Sequence, residues 1–298
     1  MKNSTKIAAL VVGSAAATYV SYKAISESLF NKVFKAQRSV GKIDDEYREW
    51  FTNSKVTKVS IKSFDGLKLY AYKIVNHEDA PFMLMVHGIS NNKENMFSRA
   101  VEFDKLGYNL LLIDLRACGE SEGEYITYGQ KESIDILLWC RYLKIKHPNA
   151  PVVLYGTSLG AASVMMASSL GLDKNVKCIV EDCGYSSLYE ELDYVIRHDY
   201  KLNNTKIILN IFNGMMKEKF GITFDDVSPK MSLENNEIPI VFVHGEADEL
   251  VPFTMATILY NHNKGIKKYY PVADAGHAKS FKNENYFVNI DNFIRNYI

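Results

Sequence analysis

No charge of one sign dominates this chain. Its 35 basic and 35 acidic residues cancel, and no long single-sign run hides a basic arm or an acidic tail, so the electrostatic footprint of a nucleic-acid binder is missing. Cysteine is scarce. The four, Cys118, Cys140, Cys178 and Cys183, form no CxxC pair and stand at no zinc-type spacing with histidine. Buried free thiols are the expectation, and nothing asks for a Cys178–Cys183 bridge. Nothing calls for a metal or an organic cofactor either. Internal repeats and low-complexity tracts are absent. The apolar stretch from Ile7 to Tyr22 is interrupted by Gly13, Ser14, Thr18 and Ser21, and it falls short of the ~20 residues that comfortably span a bilayer.

What is present is enough apolar matter for a large core: 47% of the 298 residues are hydrophobic and 23% charged, which fits one large domain with insertions or two small ones. At the N-terminus, Lys2 and Lys6 precede the apolar stretch, the order found in a secretory signal or an uncleaved anchor. Ala15 and Ala17 supply an A-x-A cleavage pattern. The apolar periodicity nevertheless runs on through Ile25, Leu29, Phe30, Val33 and Phe34, which suits a retained segment. We expect residues 1–40 to form a membrane anchor with an amphipathic helix, holding the following domain outside the cytoplasm. A soluble helix packed on that domain is the alternative.

Residues 41–55 are polar with a turn composition and read as a connection. From Val56 on, strands alternate with helices. Val56–Ile61 and Leu67–Val75 form a hairpin around Asp65-Gly66, a strong turn dipeptide. The short apolar runs Phe82–Val86, Asn109–Ile113, Val152–Tyr155, Cys178–Val180, Ile240–Val243 and Lys267–Pro271 read as parallel strands buried on both faces. Helical segments lie near Met96–Leu106, Ser133–His147, Leu159–Leu170, Phe253–Asn263 and Tyr286–Tyr297. The pattern implies an α/β domain over residues 41–298, with an eight-stranded, mostly parallel sheet covered by helices on both faces. Residues 184–237 are too many for an ordinary connection and are expected to be a helical cap inserted after the sixth strand. Its stripe Ile207, Ile208, Ile211, Phe212, Met215, Met216 and Phe220 is expected mostly to pack the cap on the body, with part of it roofing the site.

The sharpest chemical signal is Gly156-Thr157-Ser158-Leu159-Gly160, between an apolar strand and a small-residue helix. Glycines permit a sharp turn there and leave the serine exposed at the start of the helix. A serine hydroxyl needs a base in hydrogen-bond reach. Of seven histidines, His277 stands apart, just after the last strand in Asp274-Ala275-Gly276-His277. His77, His147, His198 and His262 read as surface residues, and His87 and His244, each before a glycine at a strand end, as structural or oxyanion-loop residues. The acid expected to orient His277 is Asp248, at the carboxyl end of a strand where open α/β sheets place their sites. Glu246 and Glu249 are its neighbours, and Asp182 is the main rival. Asp114 is expected to tether a loop with Arg116. A developing oxyanion would need two N–H donors, for which the backbones of Leu159 and Ile89 are positioned.

Taken together, the chain resembles the α/β-hydrolase superfamily, and within it bacterial hydrolases related to serine esterases and aminopeptidases. The resemblance runs through His87-Gly88, Asp114-Leu115-Arg116, Gly119-Glu120-Ser121, Gly156–Gly160, His244-Gly245 through Asp248, Val251-Pro252 and Gly276-His277. It implies a triad of Ser158, Asp248 and His277 acting on a small-molecule ester or acyl substrate through an acyl-enzyme. Cys118 departs from the glycine, serine or histidine common at its position and bears on the loop facing the pocket. A peptidase or amidase using the same triad, and a membrane-tethered binding protein without turnover, are the competing expectations. Oligomeric state and acyl length are left open by the sequence.

Overall fold

The computed structural model describes residue 24, residues 26–36, 38 and 39, and residues 41–298; the apolar run Ile7–Tyr22 lies outside them. Along the chain come α1 (residues 26–34), α2 (Asp45–Asn53), β1 (Val56–Lys62), β2 (Lys68–Ile74), β3 (Phe82–Val86), α3 (Phe97–Lys105), β4 (Asn109–Ile113) and α4 (Gln130–Lys146). They are followed by β5 (Val152–Thr157), α5 (Leu159–Ala167), β6 (Val176–Asp182), α6 (Leu188–His198), α7 (Lys206–Phe220) and α8 (Pro229–Leu233). The chain closes with β7 (Ile240–Gly245), α9 (Phe253–His262), β8 (Lys267–Val272) and α10 (Tyr286–Ile294).

One sheet holds all eight strands in the order β1-β2-β4-β3-β5-β6-β7-β8. The opening hairpin is antiparallel, β2 runs antiparallel to β4, and β4 through β8 are parallel. This is the eight-stranded, mostly parallel α/β sheet that the alternating pattern predicts. The central strands β3, β4, β5 and β7 are buried at every position because both faces are covered. Alternate side chains then feed two separate cores. Leu84 and Val86 of β3 join Leu111, Leu154 and Phe242 on one face, while Met83 and Met85 join Leu110, Val153 and Tyr155 on the other.

Two segments differ from the sequence expectation. The connection 41–55 contains α2, whose Trp50 and Phe51 rings pack on Phe97 at 5.5 and 5.1 Å. Apart from Tyr47 its remaining positions are polar, so its composition resembles a loop. The boundary drawn at residue 40 also fails to separate two units. Phe30 and Phe34 of α1 are both 0% exposed, stack on each other at 4.4 Å and meet Phe212 edge-on at 6.3 and 6.2 Å. The backbone joins in, with Ala36 N donating to Glu124 O and Ile126 N to Phe34 O, each at 3.0 Å. An apolar helix face this large demands cover, and the body of the domain supplies it. Among the described residues no helix is long and apolar enough to cross a membrane.

Candidate active site

At the end of β5 the chain turns into α5 through Ser158, whose φ of 56° and ψ of −119° lie outside the usual regions. Strain of this kind persists only where the surroundings impose it. A Cβ on Gly160 would lie 2.2 Å from the carbonyl oxygen of Val86, and one on Gly156 2.3 Å from that of Gly160. The turn can close only with hydrogen at both positions. Ser158 N donates to Asp182 O at 2.8 Å, which fixes the serine at the tip, 7% exposed.

His277 comes to it from the loop after β8. Its Nε2 lies 3.0 Å from Ser158 Oγ and its Nδ1 2.8 Å from Asp248 Oδ2. The structure therefore brings together the serine, histidine and aspartate singled out in the sequence. The other carboxylate oxygen, Oδ1 of Asp248, accepts from Leu250 N and Val251 N, each at 3.0 Å. Burial alone would raise this carboxyl, but the contacts of His244 and His277 outweigh it and hold Asp248 well below the usual carboxylate range. The His277 loop is clamped from behind. Arg99 Nη2 donates to Ala278 O at 2.8 Å while its guanidinium lies 3.8 Å over the Phe281 ring.

The turn after β3 lies against the serine: a Cβ on Gly88 would stand 3.3 Å from Ser158 Cβ. Among the described residues, the N–H groups of Ile89 and Leu159 donate to no other protein group. Both are free to receive an oxygen beside Ser158. The turn is tied down differently from the sequence expectation. Asp114 binds Lys93, through Lys93 N at 2.8 Å and Nζ at 2.7 Å, and Glu120 N at 2.9 Å. Arg116 instead forks onto Asp135 at 2.7 and 2.8 Å and reaches Asp65 at 2.9 Å. With these separate partners, Asp114 and Arg116 serve different loops. His87 is buried, with Nε2 accepting from Leu115 N at 3.1 Å.

The rival acid, Asp182, is buried and accepts from the Tyr155 and Tyr286 hydroxyls at 3.1 and 2.7 Å; no hydrogen bond joins it to His277. Cys183, Asp248 and His277 bring ligand-type atoms within 4.8 Å of one another. Burial pushes the Cys183 thiol far up, and the histidine and aspartate atoms already bind each other, so the cluster fits a hydrogen-bonded relay better than a cation. All four cysteines are free and buried.

A cavity of about 430 Å³ opens on Ser158, lined by Leu29 and Val33 of α1, Leu192 and Ile196 of α6, and Phe212 of α7, among others. The stripe on α7 divides: Leu209, Phe212 and Met216 are buried, Ile208 and Phe212 line the cavity, and Ile207 is exposed. Two participants were not anticipated. Glu191 lines the cavity, although its place in a buried helical stripe beside Leu188 and Leu192 could have flagged it. Lys93 is buried with three acidic partners, which no local spacing reveals.

Strand order, the strained serine turn and the carboxyl-end loops carrying Asp248 and His277 together make up an α/β-hydrolase fold. The α/β hydrolase fold family matches residues 81–216, and the chain has the fold of that family. It is similar to YqkD of Bacillus subtilis, an uncharacterized protein, with 27% identity over 78% of this chain and 76% of that one. It is 32% identical to the thiohydrolase aneE of Aspergillus aculeatus over 43% of this chain and 41% of that one. The Pyrococcus furiosus esterase Pf2001 superposes with a TM-score of 0.71 at 22% identity, covering 88% of this chain and 97% of that one.

Proposed function

We propose that the chain is a serine hydrolase that cleaves a carboxylic ester through an acyl-enzyme. The observation that carries this reading is the unbroken chain from Ser158 Oγ to His277 to Asp248, at 3.0 and 2.8 Å. His277 takes the Ser158 proton as Oγ attacks the ester carbonyl, and Asp248 holds the imidazole in register and stabilises its cation. The oxyanion forms against the N–H groups of Leu159 and Ile89, the former at the positive end of α5. His277 then delivers its proton to the departing alkoxide, which leaves as the alcohol. Water, deprotonated by the same imidazole, attacks the acyl-Ser158 carbonyl, and Ser158 leaves with its proton restored. The acyl group occupies the apolar cavity, so α6 and α7 act as a cap over it. A single N-terminal segment, Ile7–Tyr22, tethers the enzyme to a membrane, with the catalytic domain outside the cytoplasm. The exposed Leu29, Tyr200 and Leu202 beside the cavity support this tether.

Labelling with a fluorophosphonate tests the chemistry. Wild-type protein should label at Ser158 and Ser158→Ala should neither label nor turn over p-nitrophenyl esters; labelling of the alanine variant elsewhere overturns the assignment. A panel of p-nitrophenyl esters against aminoacyl anilides should show faster turnover of the esters.

A further inference from the structure

Of the described residues lining the cavity beside Ser158, Glu191 alone is acidic. It stands in the first turn of α6 between Leu188 and Leu192, on the face that turns inward, where an apolar residue is the default. It is 8% exposed, and its Oε2 is buried without a hydrogen-bond partner. No ion pair reaches it among the described residues; Lys32, on the same cavity wall, is exposed. The other buried polar side chains of the wall are already committed. Tyr128 donates its hydroxyl to Val33 O at 2.8 Å, Tyr185 to Tyr128 O at 2.7 Å, and Ser158 Oγ faces His277.

A buried carboxyl without a partner is costly, and one that lines a cavity can recover that cost from a ligand. Burial first, then the nearby Asp248 and Asp199, push Glu191 up to about 8, against the opposing pull of His244. At neutral pH it therefore offers the cavity a proton as well as a lone pair. A ligand ammonium would have to leave water for an apolar cavity. A hydroxyl can both accept from and donate to a neutral carboxyl without moving charge.

We propose that Glu191 is the specificity-determining residue of this cavity, binding a hydroxyl carried on an otherwise aliphatic acyl group, so that the substrates are hydroxyacyl esters. The inference rests on the reading of Ser158 as nucleophile and of the cavity as the acyl site. A site built to bind a hydroxyl rejects the analogue that lacks it, because its own polar group is then left unpaired.

The test uses the full chain in detergent, with acid release followed by titration. Ethyl octanoate is compared with ethyl esters of octanoic acids hydroxylated at successive carbons and with an ω-amino analogue. One hydroxylated isomer should exceed the plain ester in kcat/KM by ~tenfold or more. Glu191→Gln, which keeps a donor and an acceptor, should preserve the preference, and Glu191→Leu should erase it, with thermal melting confirming that each variant is folded. Equal rates on all esters, a preference that survives Glu191→Leu, or the amine preferred over every hydroxyl would overturn it. Fluorophosphonate labelling of wild-type Ser158 separates the two readings: a protein that labels but ignores the hydroxyl sinks only this inference, and one that does not label sinks both.

Discussion

Nε2 of His244 lies 3.3 Å from Oδ2 of Asp248, the same oxygen that His277 approaches at 2.8 Å. His244 makes its shorter hydrogen bond to Val251 O at 2.9 Å, so its N–H forks between the carbonyl and the carboxylate. Two imidazoles thus meet one buried carboxylate from different strands' ends.

Removing the second imidazole should loosen the acid while leaving Ser158 and His277 in place. His244→Gln should lower kcat by roughly tenfold with little change in KM. The contact helps hold the Asp248 carboxyl low, so its loss raises that carboxyl, and the acid-side fall in activity should begin at higher pH. A kcat–pH profile with an unmoved acid limb would show that the contact is structural.

The placement of the acid has its own test. Asp248→Asn should cost ~10³–10⁴ in kcat, because an amide cannot hold the His277 tautomer or its cation. Asp182→Asn should leave kcat within about threefold and lower the melting temperature, since it weakens the bonds from Tyr155 and Tyr286. Single-variant kinetics at saturating substrate distinguish the two; a larger loss from Asp182→Asn would move the acid to the end of β6.

Contact between α1 and the body changes what truncation should do. Deleting residues 1–23 should abolish membrane association and leave kcat on a water-soluble ester within about twofold. Deleting residues 1–40 also removes Phe30 and Phe34, each worth roughly 3–5 kcal/mol when buried, against a total stability of ~5–15 kcal/mol. The longer deletion should aggregate or melt far lower. Equal melting temperatures for the two truncations would mean that α1 adds nothing to the core.

These comparisons mark where sequence reading succeeds. β3 and β4 lie where the short apolar runs placed them, because a strand covered on both faces is apolar along nearly its whole length and polar turns bound it. Ser158 and His277 were legible since each sits at a strand end in a fixed local context. Partners far apart in the chain were not. Asp114 and Lys93 meet across 21 residues, and Arg116 and Asp135 across 19; nothing local distinguishes these pairs from Asp114 with Arg116. α2 was missed because the short apolar face of Tyr47, Trp50 and Phe51 is diluted by charge, and only its fit against Phe97 and Tyr72 makes it a helix face.

The serine turn leaves no room for a side chain. Gly160→Ala places its methyl against the Val86 carbonyl, which is backbone and cannot swing aside. A cost of roughly 1–3 kcal/mol and loss of fluorophosphonate labelling are expected together. An alanine variant with wild-type melting and labelling would show that β3 can retreat from α5.

Glu191 offers a test by stability rather than rate. Its carboxyl is pushed from an ordinary 4.5 up to about 8 by burial and by Asp248, so between these values the folded chain holds a proton that the unfolded chain has released. Stability must therefore fall as pH rises through that window, by up to ~3 kcal/mol at neutral pH. Glu191→Leu removes this loss and suits the apolar face of α6. Its melting temperature should exceed that of wild type by roughly 5 °C or more at pH 8, and the gain should shrink toward pH 5. Glu181, raised to about 8 mainly by its burial, remains in both proteins and cancels in the comparison. An equal gain at both pH values would assign the effect to packing alone. A gain that follows pH means that the wild-type chain carries a destabilising carboxyl at the cavity beside Ser158, as expected of a group retained for function at a cost in stability.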